Sequence, residues 1–442
     1  MKKIVFACLL SAFFGLYAQN YDVGNIAVVH GGPDVAGGLI GVQEKTAGLQ
    51  FYMTHADIYD FMVVFTTYTP QMNMQQGLAI QYTVQGINRE GAWSPYGPAS
   101  AWGSAGRLIG GTRMCHIDQY PDDPDVPISN NIISPFAGMS TVELLAHEFS
   151  HYWLMAIDFK KEGMAENHTG LRGWEDGANQ HWNSYAGSGP SVMYGSHVVD
   201  NGGGSFTQVF SLPRKYGHLD QYVMGLRAPE EVDPILFICS SSDIEQCREG
   251  SPAIPAAKTS PDKTYNSGDM YLHTVTIEDV IRAMGPRIPA AADAPKHWNV
   301  AFVIINLPGQ DPFPNQITRL DTLRVRFQEW FTWATDGRAT ICTELDGDCG
   351  NVEPTDDDAV SDESVTDDIV TDTELPDDTV TDDTVTDDQP IVDDVAPDTA
   401  VTDDAVADNG ETPDEVVDES GNDGVVVGDE GDEGGCGCSL MF

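Results

Sequence analysis

Two histidines four residues apart, with a glutamate directly after the first, constrain this sequence more than any other feature. His147, Glu148 and His151 lie in the segment 140–153, whose apolar residues recur with the period of an α-helix. On a helix, side chains four positions apart project from one face, so both imidazoles can reach a single metal ion. Glu148 lies one step around the helix, where it can reach a water molecule on that metal without binding the metal itself. The spacing predicts a zinc site with a built-in general base.

The residues around the motif favour the helix on which this prediction depends. Ser140 precedes the apolar run and Glu143 follows three positions later, which is the capping-box pattern of a helix start. The apolar side chains at helical spacing are Val142, Leu144, Leu145, Phe149, Tyr152 and Trp153. The alternative is an ordinary amphipathic helix with two histidines that bind no metal. The cap, the periodicity, an export signal and acidic residues further along the chain together favour the zinc site.

The first residues predict export from the cytoplasm. Two lysines follow Met1, an apolar run covers residues 4–17, and Ala18 is a small residue at a suitable cleavage position. This is the pattern of a secretory signal peptide over residues 1–18. No later segment has the length of a membrane span, so we expect the mature chain to be secreted or held at the cell surface.

The negative charge of the chain is concentrated near its carboxyl terminus. The formal net charge is −47, yet 32 of the 69 acidic residues follow Gly350, and no lysine or arginine follows Arg338. The segment 346–442 repeats a Val-Thr-Asp-Asp theme and has almost no aromatic residues, so we expect a disordered acidic tail.

Nucleic acid is an unsuitable partner for such a chain, because phosphate binding needs a basic surface. A solvated stalk is one interpretation of the tail, and weak Ca²⁺ binding by its aspartate pairs is the alternative.

The cysteine spacing is typical of an oxidising compartment. Cys239 with Cys247, and Cys342 with Cys349, could each close a short-loop disulfide. Cys115 is then left over, and we expect it to be a buried thiol.

The tail ends with a second type of cysteine pattern. Cys436 and Cys438 form a Cys-Gly-Cys motif that resembles the surface-sorting signals of myxobacteria-like Gram-negative bacteria. Those signals normally continue into an apolar helix and basic residues, which are missing from the four residues that follow here. Attachment to the cell surface through this motif is therefore an alternative to free secretion.

Strand-like segments on both sides of the metal helix predict an α+β fold. Four segments are predicted as strands, namely residues 58–67, 77–84, 107–117 and 299–307. Residues 317–334 have an apolar stripe at helical spacing and are predicted as a helix. Residues 107–117 contain a glycine pair and are predicted as an edge strand beside the zinc. We predict a zincin-like catalytic region over residues 19–235, with a mixed sheet and a metal-binding helix. Residues 236–345 are predicted as a carboxyl-terminal lobe packed on that region.

The third zinc ligand is the main question that the motif leaves open, because a catalytic zinc ion needs three protein ligands. The metzincin spacing fails, since Leu154 and Ile157 occupy positions where glycine and histidine would be required. Asp220 lies in an apolar helical segment with Tyr222, and a buried carboxylate needs a partner such as a metal ion. We rank Asp220 first as the third ligand. The alternatives are His181, Glu175 and His218.

Short motifs make the chain similar to a group of exported zincin metallopeptidases from myxobacteria-like bacteria. The matching segments are residues 59–65, 106–110, 147–151, 181–182, 191–193, 219–226 and, as a carboxyl-terminal helix, 327–335. The resemblance implies a zincin fold and peptidase chemistry, and it leaves the third ligand and the substrate open. Residues 191–195 look like the methionine turn beneath the metal of metzincins, with an ordinary packing role for that methionine as the alternative.

These residues together predict a zinc-dependent endopeptidase. Zinc held by the two motif histidines and Asp220 would lower the pKa of its bound water toward ~7, and Glu148 would remove the proton. Tyr222 and His181 are the candidates for stabilising the oxyanion, and a substrate peptide could pair with the edge strand. One alternative is a catalytically inert surface-display or adhesion protein with a zincin fold, against which the intact glutamate argues. Another is a zinc amidase that acts on peptidoglycan peptides.

Overall fold

The computed structural model describes residues 20–31, 44–70, 75–87, 96–128, 138–153, 157–173, 181–189, 191–210, 212–247, 262–307 and 309–349. The predicted signal peptide, Glu175 and the acidic tail beyond residue 349, with Cys436 and Cys438, lie outside the described residues. The described residues combine helices with a mixed sheet, which agrees with the predicted α+β class. Within these ranges, no helix has the length and apolar character needed to cross a membrane.

The described ranges contain thirteen strands, five α-helices and four short 3₁₀ helices. The strands are β1 (Tyr21–Val23), β2 (Ile26–His30), β3 (Phe61–Thr66), β4 (Gln76–Ala79), β5 (Gly110–His116), β6 (Ala186–Gly187), β7 (His197–Gly202), β8 (Ser205–Val209), β9 (Ile235–Cys239), β10 (Lys263–Asn266), β11 (Tyr271–Val275), β12 (His297–Asn306) and β13 (Thr340–Cys342). The helices are α1 (Glu44–Phe51), α2 (Thr141–Ser150), α3 (His218–Met224), α4 (Ile277–Met284) and α5 (Pro314–Ala334). Segments predicted as strands or helices from local pattern all contain an element of the predicted type.

A seven-stranded mixed sheet forms the centre of the fold. Its strand order is β1-β2-β12-β3-β5-β4, and β13 also pairs with β12. β2, β12, β3 and β5 run parallel to one another, whereas β4 pairs with β5 in the antiparallel direction. The prediction that residues 107–117 form the edge strand is therefore wrong. β4 covers β5 and takes the edge position itself.

Both faces of the central strands are buried, which explains their nearly continuous apolar sequences. On one face, Phe61 packs on Phe149 of α2 with ring centroids 4.3 Å apart, and Phe149 in turn contacts Phe331 of α5. On the other face, Met62 belongs to a separate cluster that includes Phe51 of α1. The sheet thus lies between α2 and α5 on one side and α1 on the other.

The capping box predicted at the start of α2 is confirmed. The Ser140 hydroxyl accepts a hydrogen bond from the Glu143 amide at 3.4 Å, and the Glu143 carboxylate accepts one from the Ser140 amide at 2.9 Å. Every residue of α2 is buried. The helix therefore carries its polar side chains into the interior, where each needs a hydrogen-bonding partner or a ligand.

The predicted boundary near residue 235 does not divide the main sheet. β12 comes from the predicted carboxyl-terminal lobe, yet it lies between β2 and β3 at the centre of the sheet. Residues 236–345, predicted as a lobe packed on the catalytic region, therefore contribute a central strand to the same sheet as residues 19–235.

Two smaller sheets and two disulfides complete the described fold. The small sheets have the orders β10-β8-β7 and β11-β9-β6. The predicted disulfides Cys239–Cys247 and Cys342–Cys349 are both present, and Cys115 is buried, so these predictions are confirmed.

We expect a chain that ends at residue 349 to fold as the full chain does, because the composition beyond it offers no core-forming content. The end point must be 349 rather than 345. Cys349 is disulfide-bonded, and the Tyr59 hydroxyl donates a hydrogen bond to the Leu345 carbonyl. Thermal unfolding of the two chains should give the same Tm. A chain ending at Thr335 lacks β13 and the disulfide and should yield no folded protein; the same failure at 349 would show that the tail is structural.

Candidate metal centre

Three histidines meet beside the carboxyl-terminal half of α2. Nitrogen atoms of His147, His151 and His181 all lie within 4.8 Å of one another. The ring centroids are 4.9 Å apart for His147 and His151, and 5.0 Å apart for each other pair. The first two histidines are presented by the helix, as their spacing predicted, and the third comes from the segment that follows it. The structure therefore brings an almost equilateral triangle of imidazoles together.

A backbone carbonyl fixes the orientation of His147. Its Nδ1 lies 2.7 Å from the Val192 carbonyl oxygen, which can only accept, so Nδ1 carries the proton. The Nε2 lone pair then faces Nε2 of His181 at 3.2 Å. Two nitrogens bound ~2.0–2.1 Å from a tetrahedral zinc ion would lie roughly 3.3 Å apart. The observed separation fits two ligands of one ion.

Burial keeps the three imidazoles in the form that binds metals. Desolvation lowers the pKa of His147 to about 4. Desolvation, followed by repulsion from neighbouring histidines, lowers the pKa values of His151 and His181 well below the ordinary value. A metal ion binds the neutral imidazole, because the protonated ring has no free lone pair. The donor set and its protonation state both suit zinc.

Glu148 lies next to the three histidines without joining their cluster. Its Oε2 is 3.8 Å from Nε2 of His151, and the side chain is buried. Desolvation raises the pKa of Glu148 to about 8, while a hydrogen bond from the Gly77 amide and the positive charge of Arg113 oppose that rise. This is the position that the sequence predicted for a general base beside the metal.

The edge strand β4 approaches α2 so closely that only glycine fits at the contact. A Cβ at Gly77 would lie 2.5 Å from both the Glu148 carbonyl oxygen and the His151 Cβ. Both contacts involve atoms that are fixed to the helix backbone and cannot move independently of it. The missing side chain at Gly77 therefore allows the strand backbone to reach the site.

Gly77→Ala should lower the stability by about 1–3 kcal/mol, the usual cost of overpacking. It should also weaken zinc binding, because the new methyl group pushes on Glu148 and His151. The control is Gly110→Ala, whose Cβ would meet the Phe61 ring at 2.8 Å and disturb the core instead. Chemical denaturation and chelator competition measure the two effects separately. Equal zinc affinity in both variants would contradict a role for this contact in shaping the site.

Tyr194 is a site residue to which the sequence analysis assigned no role. Its ring centroid lies 4.5 Å from that of His181 and 5.0 Å from that of His147. Its backbone φ of 70° is left-handed, which is uncommon outside glycine. The Met193 carbonyl accepts a hydrogen bond from the Trp182 amide at 3.0 Å, so this turn packs against the histidine segment. The signal that could have identified Tyr194 is its position in the predicted methionine turn, directly before Gly195.

Asp220, ranked first as the third ligand, is not among the residues gathered at the centre. Its Oδ1 accepts a hydrogen bond from the Trp182 indole at 2.5 Å, and its Oδ2 accepts one from the Gly217 amide at 2.7 Å. Desolvation raises the pKa of this fully buried group to about 6, against hydrogen bonds from Ser191 and these two donors. The ranking is corrected: the carboxylate does have partners, but they are hydrogen-bond donors, and His181 joins the motif histidines instead.

The remaining candidates also have partners elsewhere. The Tyr222 hydroxyl accepts a hydrogen bond from the Arg287 amide at 3.1 Å, which gives this residue a packing role and leaves its predicted catalytic role without support. Nδ1 of His218 lies 2.8 Å from a carboxylate oxygen of Asp233.

A second group of metal-binding residue types contains Cys239, Cys247 and His273. Its two sulfur atoms are joined in a disulfide, so neither is available as a thiolate ligand.

No protein-family model, characterised protein or solved structure matches this chain. Its function is therefore inferred from the three histidines, Glu148 and the fold around them.

Proposed function

We propose that this chain is a secreted, zinc-dependent endopeptidase of the zincin type. The observation that carries the proposal is the meeting of His147, His151 and His181 with Glu148 beside them. Three neutral imidazoles are a common protein ligand set for catalytic zinc and leave one coordination position open. A bound zinc ion supplies Lewis acidity and lowers the pKa of water toward ~7.

Glu148 is the general base in this proposal. Its carboxyl group adjoins the ligands, at 3.8 Å from Nε2 of His151, and it is held by the Gly77 amide. From there it can accept the proton of the attacking water and return it to the leaving amine. The Val192 carbonyl holds His147 in one tautomer, and the Tyr194 ring packs on two of the three ligand rings. These contacts keep the donors in place before the substrate arrives.

The position of β4 supports a peptide as the substrate. β4 is the antiparallel edge strand of the main sheet, and Gly77 brings it into contact with α2 beside Glu148. An extended peptide can add to such an edge through main-chain hydrogen bonds, which would present its carbonyl groups to the site. The combination of a metal-bearing helix and an adjoining edge strand is what favours the zincin comparison.

The proposal is tested with the purified full chain, by its metal content and its hydrolysis of casein and a peptide library. We expect one zinc ion per chain and peptide cleavage that stops on chelation and returns with added zinc. Peptidoglycan fragments serve as a second substrate, and their hydrolysis alone would favour the amidase alternative. Zinc binding without hydrolysis of any substrate would favour the inert surface protein, and absence of zinc would overturn the proposal.

A further inference from the structure

A single buried carboxylate joins three segments around the metal centre. Asp220, at the start of α3, is fully buried. It accepts hydrogen bonds from the Trp182 indole at 2.5 Å and from the Gly217 amide at 2.7 Å. The Ser191 side chain also lowers the pKa of this carboxyl group through a hydrogen bond. Two of these three donors belong to segments that carry or orient a histidine of the centre.

Two of the three donors are one step along the chain from a group at the site. Trp182 directly follows His181. Ser191 directly precedes Val192, whose carbonyl holds Nδ1 of His147 at 2.7 Å. Among the described residues of this segment, 181–189 and 191–196, the only regular element is the two-residue strand β6, so they lack the helical hydrogen bonds that fix the motif histidines. Scattered backbone hydrogen bonds, such as that from the Trp182 amide to the Met193 carbonyl at 3.0 Å, hold this segment, and side-chain hydrogen bonds add to its rigidity.

Burying a carboxylate without a cation is costly, and a well-packed apolar residue at the same place would avoid that cost. Among the described residues, no lysine, arginine or histidine forms an ion pair with Asp220. Its hydrogen-bond donors instead come from both segments that adjoin the histidine cluster and from the helix start that carries Asp220. A role in orienting those segments would explain why a carboxylate, rather than an apolar residue, is buried at this position.

We propose that Asp220 is a positioning residue that holds His181 and the Val192 carbonyl in the arrangement that binds the metal. This inference rests on the proposed function, since it presupposes a metal at the three histidines. Loss of a group that orients a metal ligand typically costs 10–100-fold in metal affinity. Asp220 would then act on metal binding without touching the ion.

The test compares metal binding by Asp220 variants of the full chain, with Zn²⁺ and with Co²⁺ as a spectroscopic probe. Asp220→Ala should bind both ions about 10–100-fold more weakly and should change the Co²⁺ absorption spectrum. Asp220→Asn keeps an oxygen that can accept the indole hydrogen bond and loses the acceptor for the Gly217 amide. Its metal affinity should therefore lie between those of Asp220→Ala and the wild type. The control is Asp60→Ala, which removes a buried carboxylate that accepts the Asn299 amide at 2.8 Å. It should lose stability while affinity and spectrum stay unchanged.

The outcomes separate the two proposals. If the wild-type chain binds neither ion, the proposed function fails. If the wild type binds both and Asp220→Ala has the same affinity and spectrum, the positioning role is overturned and the proposed function stands. If Asp220→Ala does not fold, Trp182→Phe keeps the carboxylate and an aromatic ring but removes the indole donor, and a loss of affinity in the same direction is expected. Unchanged metal binding by a folded Trp182→Phe would then overturn the positioning role.

Discussion

Glu148→Gln should keep zinc bound and reduce peptide hydrolysis by about 10²–10⁴-fold, the usual contribution of a general base. The amide has the shape of the carboxyl group and can still accept the hydrogen bond from the Gly77 amide. It cannot take a proton from water. Glu148 adjoins the histidine cluster without belonging to it, so the three imidazoles should keep the ion. Zinc content and turnover of one peptide substrate, measured on the same preparation, check both halves of the prediction.

His151→Ala is the companion variant, because it removes one of the two imidazoles that the helix presents. It should lose zinc and activity together, whereas Glu148→Gln loses activity alone. Near-normal turnover by Glu148→Gln would rule out its role as the base. Loss of zinc from that variant would instead make Glu148 a ligand.

His181→Ala should release the metal and abolish activity. Its Nε2 lies 3.2 Å from Nε2 of His147, and its ring centroid lies 5.0 Å from that of His151. Removing one of three donors leaves two imidazoles, which is too few for a catalytic zinc site. The zinc affinity should therefore fall by more than the roughly 10–100-fold expected when a group that only orients a ligand is lost. Competition with a chelator of known affinity measures the loss.

The matched control is His218→Ala, which removes another histidine that the sequence offered as a third ligand. His218 pairs with Asp233 at 2.8 Å, so its removal should leave the zinc content unchanged. Full zinc binding by His181→Ala, or loss of zinc from His218→Ala, would show that the third ligand is misassigned.

Local features of the site could be predicted because their physics is local. The capping box at Ser140, the periodicity of α2 and the four-residue spacing of His147 and His151 all act within one helix. The structure has each of them where the sequence placed it. Glu148 is beside the histidines for the same reason.

The third histidine could not be predicted with the same certainty, because it depends on contacts far apart in the chain. His181 reaches the site from a segment with little regular structure. No sequence periodicity around it predicts that it lies beside the two motif histidines. The apolar neighbours of Asp220 do indicate that it is buried and that it has a partner. The partner proved to be the Trp182 indole and two further donors rather than a metal ion.

The pairing of the strands was the other feature that the local sequence pattern could not predict. Residues 107–117 have the glycines of an edge strand, but those glycines instead permit close packing against neighbouring strands. A Cβ at Gly111 would lie 2.6 Å from the Met62 carbonyl oxygen of β3. In the same way, nothing in the composition of β12 indicates that it inserts between two strands from the start of the chain.

The most direct test of the zinc centre is X-ray diffraction from crystals of the zinc-loaded protein, with data collected at the zinc absorption edge. An anomalous difference map should show one peak about 2.0–2.1 Å from nitrogens of His147, His151 and His181. Asp220 should remain hydrogen-bonded to the Trp182 indole, away from that peak. A peak bound to Asp220, a peak at any other group of residues, or no peak beside the three histidines would contradict the zinc centre proposed for this protein.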